Sequence, residues 1–474
     1  MKAAAFFDLD RTLLVGASGA VYSDAMRAAG LVSASIPGEK ALYELFQRIG
    51  ETLPSMALAR QAATLAKGRS RDDVRRVAAS ATATLVDMVP PFARSTIASH
   101  REAGRLLVMA TTTPIDLVEP LATALGFDAV VATRYGVRDD GTYDGTIDGH
   151  FVWSTGKLDA VREWAAGNDV DLASSYAYSD SVYDTPLLSA VGHPHAVNPD
   201  PRLTLVAAAR RWPVLHFDVP LGVAKIPVVN MELQRLLLQL ARPAFIPFAK
   251  FDIDGTESIP LDGPAILCAN HRSYFDVFAV AVTVARSGRP VRFLGKKEVF
   301  DAPIVGQLAT SLGGIRVDRG TGSDEPLRAA SEALAAGELV AIMPEGTIPR
   351  GPAFFDPVLK GRWGAASLAM QSKVPVVPIG LWGTELVWPR SSRLPNILNV
   401  SNPPTIRVRV GEPFTLRGKT ADSNTRRIMK EITALLPDVA RVRRVPTDDE
   451  LRRSYPSGYS GDPASEATRR PGSD

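Results

Sequence analysis

Phe6-Phe7-Asp8-Leu9-Asp10-Arg11-Thr12-Leu13-Leu14 is the stretch on which the fold of the first half of the chain turns. An apolar run that opens onto two acids reads as a short buried strand ending in polar chemistry. Side chains alternate along a strand, so period two turns Asp8 and Asp10 to the same side. Two converging carboxylates repel each other unless a cation sits between them, and Mg²⁺ is the natural occupant. Alone, Asp-x-Asp-x-Thr also describes an ordinary polar turn, so the segments that follow decide.

Leu106-Leu107-Val108-Met109-Ala110 is a second buried strand, and it runs into Thr111-Thr112-Thr113-Pro114. These threonines offer a hydroxyl to a phosphate; Thr111 is the first choice, with Thr112 open because strand ends are legible only to a residue or two. Lys157 follows a β-like segment, Thr142 to Trp153, and opens an amphipathic helix from Leu158 to Ala165. Tyr176 to Leu188 then gives a strand leading into Ser179-Asp180 and Asp184. Strands alternating with helices, with chemistry at their carboxyl ends, describe an open parallel α/β sheet.

Asp-x-Asp-x-Thr, Thr, Lys and Ser-Asp-x-x-x-Asp, in this order over about the first 200 residues, resemble the haloacid dehalogenase-like hydrolases, in the branch that includes phosphoserine phosphatase. The resemblance implies a Rossmann-like hydrolase domain over residues 1–212 with a helical cap at about 16–90 that selects the substrate. It implies Asp8 as a nucleophile forming an aspartyl-phosphate and Asp10 as general acid/base. Thr111 and Lys157 would hold the phosphoryl oxygens. Asp180 would bind Mg²⁺ with Asp8 and the backbone carbonyl of Asp10, supported by Asp184. Such a site works through positioning and charge neutralisation, which these residue types suit.

Residues 213–249 read as a connection, punctuated by Pro213, Pro220, Pro227, Pro243 and Pro247. Within it Leu233, Leu236, Leu237 and Leu240 recur at helical spacing beside Arg235, Gln239 and Arg242. Such a helix can lie in a membrane interface or pack on the next domain, and the spacing leaves both open. Phe251-Asp252-Ile253-Asp254-Gly255-Thr256 repeats the acidic signature, but no Lys or Ser-Asp-x-x-x-Asp set follows in the required order. It reads instead as a strand and turn leading into Ala265-Ile266-Leu267.

The second domain, 250–443, is organised around Asn270-His271-Arg272-Ser273-Tyr274-Phe275-Asp276, just past the apolar run Ala265 to Ala269. A neutral imidazole beside a fixed carboxylate is a competent general base. Downstream come an apolar helix from Phe275 to Arg286, Leu312-Gly313-Gly314-Ile315-Arg316-Val317-Asp318-Arg319, the strand and turn Glu338 to Thr347, and Val374-Pro375-Val376-Val377-Pro378. The turn Glu345-Gly346-Thr347 exposes backbone N–H groups and a hydroxyl, which suits phosphate. Arg316 and Arg319 could add charge-assisted contacts.

Asn-His-x₄-Asp, Gly-Gly-Ile-x-Val-Asp-Arg, Pro-Glu-Gly-Thr and Val-Pro-x-x-Pro together resemble the glycerolipid acyltransferases, of the 1-acylglycerol-3-phosphate type, over about residues 250–415. The resemblance implies an α/β acyltransferase domain. His271 would take the proton of the acceptor hydroxyl as it attacks an acyl thioester, and Asp276 would orient His271. Gly314, Arg319, Glu345, Gly346 and Thr347 would hold the acceptor phosphate. The family places an arginine directly after Glu-Gly-Thr; this chain has Ile348, with Arg350 two residues further on. Cys268 lies three residues from His271, but a strand-core cysteine fits better than a Cys-His nucleophile, because His271 already has its carboxylate. Lys296 and Lys297 read as a solvated basic rim.

The 474 residues leave room for two or three domains, and 45% hydrophobic content suffices for their cores. A net charge of +3 argues against nucleic acid. One cysteine excludes an internal disulfide framework and fits a reducing compartment. Acidic residues arrive too early for a signal peptide, and no apolar run reaches the roughly 18 residues of a spanning helix. Residues 444–474 read as a disordered tail. The expectation is a cytoplasmic protein, peripheral at the inner face of the membrane, that joins two activities in phospholipid biosynthesis. One is a Mg²⁺-dependent phosphomonoesterase. The other transfers an acyl chain from acyl-CoA or acyl carrier protein to a lysophosphatidate-like acceptor, giving phosphatidate. The rival expectation makes the first domain a regulatory phosphate-binding module and gives the second another lysophospholipid.

Overall fold

The computed structural model describes residues 2–32, 51–220, 222–223, 225–226, 231–240, 246–301, 305–317 and 325–459. Two compact units emerge, Met1–Leu221 and Gly222–Asp474, each α/β with a mostly parallel sheet.

In the first unit the strands are β1 (Ala4–Phe7), β2 (Leu106–Pro114), β3 (Ala129–Val137), β4 (Tyr143–Asp148), β5 (Tyr176–Ser179), β6 (His193–Val197) and β7 (Val214–Leu215). They lie side by side in the order β4-β3-β2-β1-β5-β6-β7. All pairings are parallel except β3 with β4. Alternation in β1 explains the two cores. Ala5 and Phe7 join one apolar layer with Leu107, Met109 and Tyr178, while Ala4 and Phe6 join the other with Val108, Ala110 and Ala177. A sheet covered on both faces buries its parallel strands completely, as such strands require. From β1 the chain builds β2 and β3 on one side and then β5 and β6 on the other. Asp8 leaves the sheet where the winding reverses, the place where open sheets leave a crevice.

Three helices of the expected cap are described: Ser18–Ala28, Leu53–Leu65 and Arg71–Asp87. The third is pinned to the helix Ile115–Leu125 by Arg71, whose Nε lies 2.9 Å from Asp116 Oδ1, and by Arg75 at 3.0 Å. Residues 33–50 of the cap lie outside the described residues. The boundary expected at 212 moves, because β7 pairs with β6 and closes the sheet two residues later.

The second unit begins with a small hairpin of β8 (Lys225–Ile226) and β9 (Met231–Glu232). Its main strands are β10 (Lys250–Asp254), β11 (Ala265–Ala269), β12 (Val291–Lys296), β13 (Ile315–Val317), β14 (Leu339–Ile342), β15 (Val376–Trp382) and β16 (Thr405–Val410). The spatial order is β10-β16-β15-β11-β14-β12-β13, parallel throughout except β15 with β16. Alternation again divides the core: Ala265, Leu267 and Ala269 face one layer, Ile266 and Cys268 the other. Cys268 is fully buried, and burial raises its thiol pKa far above the ordinary range.

Of the two roles left open for the leucine-rich helix, the described contacts show packing. In the helix Leu233–Leu240, the amide of buried Gln234 donates to Val291 O at 2.7 Å and accepts from Val291 N–H at 3.1 Å. Glu232, at its entry, pairs with buried Arg292, which also grips Glu338 at 2.6 Å. The repeated acidic signature at Asp252 is an edge strand, with Asp252 Oδ2 held by Arg409 at 2.7 Å and Arg407 at 3.3 Å.

The expected tail is a second difference. Residues Asp448–Ser454 form a helix opened by a capping box between Thr447 and Glu450. Ser454 is buried and its Oγ accepts Gly351 N–H at 2.9 Å, so this segment is part of the second unit up to residue 459. The rest of the tail lies outside the described residues.

Candidate active sites

β1 ends at Phe7, and the chain then coils tightly, with Arg11 in the left-handed region at φ 60°. The period-two expectation for Asp8 and Asp10 therefore fails: a turn, not a strand face, sets their directions. Asp8 N–H donates across to Tyr178 O on β5 at 2.9 Å. Lys157, in the first turn of the helix Thr155–Gly167, places Nζ 2.9 Å from Asp8 Oδ1 and 2.6 Å from Asp184 Oδ2. Ser179 Oγ also donates to Asp184 Oδ2, at 2.7 Å. Thr12 Oγ1 accepts Asp180 N–H at 3.0 Å and lies 3.2 Å from Asp8 Oδ2 and 3.5 Å from Asp180 Oδ1. Asp10 points elsewhere, accepting from Ser18 N–H and, at 3.3 Å, from Thr113 Oγ1.

Electrostatics follow from this crowding of acids in a buried site. Burial pushes Asp8 up to about 7, with Lys157 pulling down and Asp184 and Glu51 pushing further up. Asp180 is raised well above its usual range by burial, despite Arg11 at 3.2 Å. Burial works against the charge on Lys157, but Asp184, Asp8 and Glu51 outweigh it and raise its pKa. A cluster so short of positive charge suits a cation.

Among the described residues no three Asp, Glu, His or Cys side chains form a ready-made ion cage. Mg²⁺ needs less, since it keeps several waters and takes one or two carboxylates. Asp8 and Asp180, meeting at the Thr12 hydroxyl, supply those two, and Asp184 Oδ1 is a buried oxygen without a hydrogen-bond partner. The donor set fits, with Asp184 Oδ2 tied to Lys157 and its Oδ1 left over.

The two candidate threonines differ in their hydrogen bonding. Thr112 spends its hydroxyl proton on Val152 O at 2.8 Å, whereas buried Thr111 accepts Thr113 N–H at 3.2 Å and keeps its proton to donate. Sequence reading missed Glu51, whose Oε2 accepts from Ser181 Oγ at 2.7 Å and Trp153 Nε1 at 3.1 Å. Nothing local marks it, because its partners are 102 and 130 residues away.

The second unit presents the other site at the carboxyl ends of β11, β14 and β15. His271 Nδ1 lies 2.8 Å from Asp276 Oδ2. That oxygen also accepts Arg272 N–H at 2.6 Å and Ser273 N–H at 2.8 Å, while Thr384 Oγ1 donates to Asp276 Oδ1 at 2.6 Å. A fully buried carboxylate so saturated cannot turn, which fixes the ring and leaves Nε2 as its outward nitrogen. Asn270 clamps β11 to β15, donating to Leu381 O at 2.9 Å and accepting Leu381 N–H at 2.7 Å. Arg272 lies between the rings of Phe354 and Trp382, 4.3 and 4.1 Å from their centroids, with Glu385 Oε1 at 2.8 Å.

Of the expected phosphate-binding residues, the structure brings Glu345, Gly346 and Thr347 to this site. Glu345 Oε1 accepts His271 N–H at 2.7 Å. Burial lifts Glu345 to about 8, offset by that N–H and by Arg272. Gly314 is not gathered with them. It precedes β13, three strands from β11 and hence roughly 14 Å aside at ordinary strand spacing. A side chain there would strike Ala309 O and the Phe300 ring, so packing accounts for this glycine. Arg316 pairs with Asp301 at 2.9 Å, and Arg319 lies outside the described residues. Of the expected basic rim, Lys297 opens the helix Lys297–Asp301, and the Lys296 side chain lies outside the described residues.

Comparison with known proteins agrees with this division. The model of the haloacid dehalogenase-like hydrolases matches residues 5–189, and the acyltransferase model matches residues 250–382. A Streptomyces azureus protein described as "Inhibition of morphological differentiation protein" is 38% identical over 247 residues, 51% of this chain and 88% of that one. A Mycobacterium tuberculosis phosphoserine phosphatase is 31% identical over 232 residues, 48% of this chain and 75% of that one. A solved 1-acyl-sn-glycerophosphate acyltransferase from Thermotoga maritima is 23% identical, with a TM-score of 0.32, over 42% of this chain and 78% of that one. The chain belongs to the haloacid dehalogenase-like hydrolases in its N-terminal half and carries an acyltransferase domain in its C-terminal half.

Proposed function

We propose that this fused phosphatase and acyltransferase acts in phospholipid biosynthesis, making phosphatidate from 1-acylglycerol-3-phosphate and an acyl thioester and hydrolysing a phosphomonoester at a second site. The observation that carries the transferase reading is the His271–Asp276 pair, with its carboxylate fully buried and saturated. His271 Nε2 takes the proton of the acceptor hydroxyl as its oxygen attacks the thioester carbonyl. The C–S bond then breaks, and the leaving thiolate collects the proton from the imidazolium. Asp276 holds the ring in one tautomer and stabilises its charge. The donor is acyl-CoA, with acyl carrier protein as the alternative carrier.

In the first domain an oxygen of Asp8 attacks phosphorus and the ester P–O bond breaks, with Asp10 giving its proton to the leaving alkoxide. Water then opens the aspartyl-phosphate as Asp10 takes the proton back. Thr111 and Lys157 hold phosphoryl oxygens, and Lys157 cancels charge that Asp8 would otherwise present to the incoming anion. Hydrolases of this family generally use Mg²⁺. When bound, the ion supplies further neutralisation of phosphoryl charge, held by Asp8, Asp180 and the Asp10 carbonyl.

The acceptor is a lipid, and a peripheral position at the inner face of the cell membrane suits it. Among the described residues no helix is long and apolar enough to cross a membrane. Leu394, Ile397, Leu398 and Val400 are exposed on the loop after Trp388, and Trp388 packs on Tyr274, three residues past His271. Exposed apolar side chains on a loop that continues from Trp388 support interfacial contact.

Labelled acyl-CoA and lysophosphatidate given to the full chain test the reading. Phosphatidate should accumulate with wild type and with Asp8→Asn, and His271→Ala should lose transfer by a factor of about 10² or more. Asp8→Asn should abolish phosphomonoester hydrolysis, which His271→Ala retains. Unchanged hydrolysis in Asp8→Asn, or unchanged transfer in His271→Ala, removes the corresponding half of the proposal.

A further inference from the structure

Against the turn after β14 lies Arg362, which among the described residues no acid neutralises. Arg362 N–H donates to Pro344 O at 2.7 Å, and its side chain crosses the open face of Gly346, where an added Cβ would lie 2.6 Å from Nε. Gly346 stands at φ 72°. Glycine is therefore required here twice, by the left-handed backbone and by the arginine lying over it. Arg362 Nε is buried without a hydrogen-bond partner, and among the described residues no carboxylate pairs with the guanidinium. Burial lowers its pKa with no charged neighbour to offset it. Only Nε is withdrawn from water, so the half-buried guanidinium stands beside the turn as a charged donor that an anion arriving with a ligand can engage.

Nearby cations are engaged elsewhere. Arg350 lies over the Tyr459 ring, 5.0 Å from its centroid, and Arg390 donates to the carbonyl of Ile348. Ile348 itself is buried and apolar, so the position directly after Glu345-Gly346-Thr347 offers an anion no charge. On the other flank Glu345 bonds the His271 N–H, which puts Arg362 one residue from the acid that touches the base.

We propose that Arg362 receives a substrate phosphate monoester at the Glu345-Gly346-Thr347 turn, doing from across Gly346 what Ile348 cannot do from within the turn. The turn's backbone N–H groups and the Thr347 hydroxyl add neutral donors to its charge. A glycerophosphate acceptor carries such a monoester, and so does CoA on its ribose. The inference rests on the acyl-transfer reading.

Steady-state kinetics of full-length Arg362→Gln and Arg362→Lys test it. If the acceptor supplies the anion, Arg362→Gln raises KM for 1-acylglycerol-3-phosphate roughly tenfold to a hundredfold. In that case Arg362→Lys recovers part of the loss and KM for a neutral monoacylglycerol stays put. If the donor supplies it, KM for acyl-CoA rises instead, and the rise disappears with acyl-pantetheine, which has no phosphate monoester. Unchanged KM for every substrate overturns the proposal. So does a parallel loss with all substrates together with a lower unfolding midpoint, which marks a structural role. Should the wild type transfer no acyl chain at all, the acyl-transfer reading fails separately. Calorimetric titration with glycerol 3-phosphate then decides: weaker binding by Arg362→Gln supports the site, and identical binding overturns it.

Discussion

Glu345 places an acid against the backbone of the proposed base, and its raised pKa has a consequence for stability. Its carboxyl titrates at about 8 in the folded chain against an ordinary 4.5, because burial disfavours the anion. Between those values the folded state keeps a proton that the unfolded chain has released. Raising pH through that window therefore works against folding. Glu345→Gln keeps an oxygen for the His271 N–H and cannot ionise. Its melting midpoint should match wild type near pH 4.5 and exceed it near pH 9 (both roughly placed). An offset that is the same at both ends would dismiss the assignment. At this scale the sequence displayed Asp8, Lys157, His271 and Asp276, because each sits in a short motif. It could not display what fixes them. Glu345, Thr384 and Leu381 reach the histidine motif from 74, 108 and 111 residues away. Pairings over such separations are made by sheet order, which no local spacing encodes. Gly314 shows a second kind of constraint: this glycine inside a matching motif is closely approached by Ala309 O and Phe300, which no motif reading displays.

Among the elements, the buried strands were the most legible, since continuous apolar runs ending in polar turns leave little choice for a parallel sheet. The strand length at Phe7 was not legible. Because β1 ends at Phe7, three residues before Asp10, a turn rather than a shared face sets the geometry of Asp8 and Asp10. The helix Asp448–Ser454 was misread from composition, although Thr447-x-x-Glu450 is a capping-box spacing that could have announced it. Its end docks through Ser454 onto Gly351, and Tyr455 fills the space a Cβ on Gly351 would need. Ending the chain at Arg443 should lower the unfolding free energy of the acyltransferase unit by about 1–3 kcal/mol, the usual consequence of leaving a buried donor unmatched. Phosphomonoester hydrolysis should persist in the shortened protein. Unaltered denaturant unfolding of the second unit would show the helix to be an ornament on the surface.

For the molecule as a whole, two α/β units with their acids, hydroxyls and imidazole at the carboxyl ends of parallel strands were foreseeable from motif order. The join was less so, because β7 and the helix Leu233–Leu240 each belong to a unit by hydrogen bonds rather than by composition. Cys268 brings the two-unit division within reach of a simple chemical measurement. The chain contains one thiol, and it is sealed in the second core, on the central strand β11. Alkylation by an excess of a small reagent can proceed only when that strand opens, so its rate reports the opening equilibrium of the half that holds β11. Labelling of the native chain should be slow, and an occupant of the acyltransferase site should slow it further, whereas an occupant of the phosphatase site should leave it alone if the halves open independently. A single sulfur atom thus serves as a clock for half a protein, without any engineered probe.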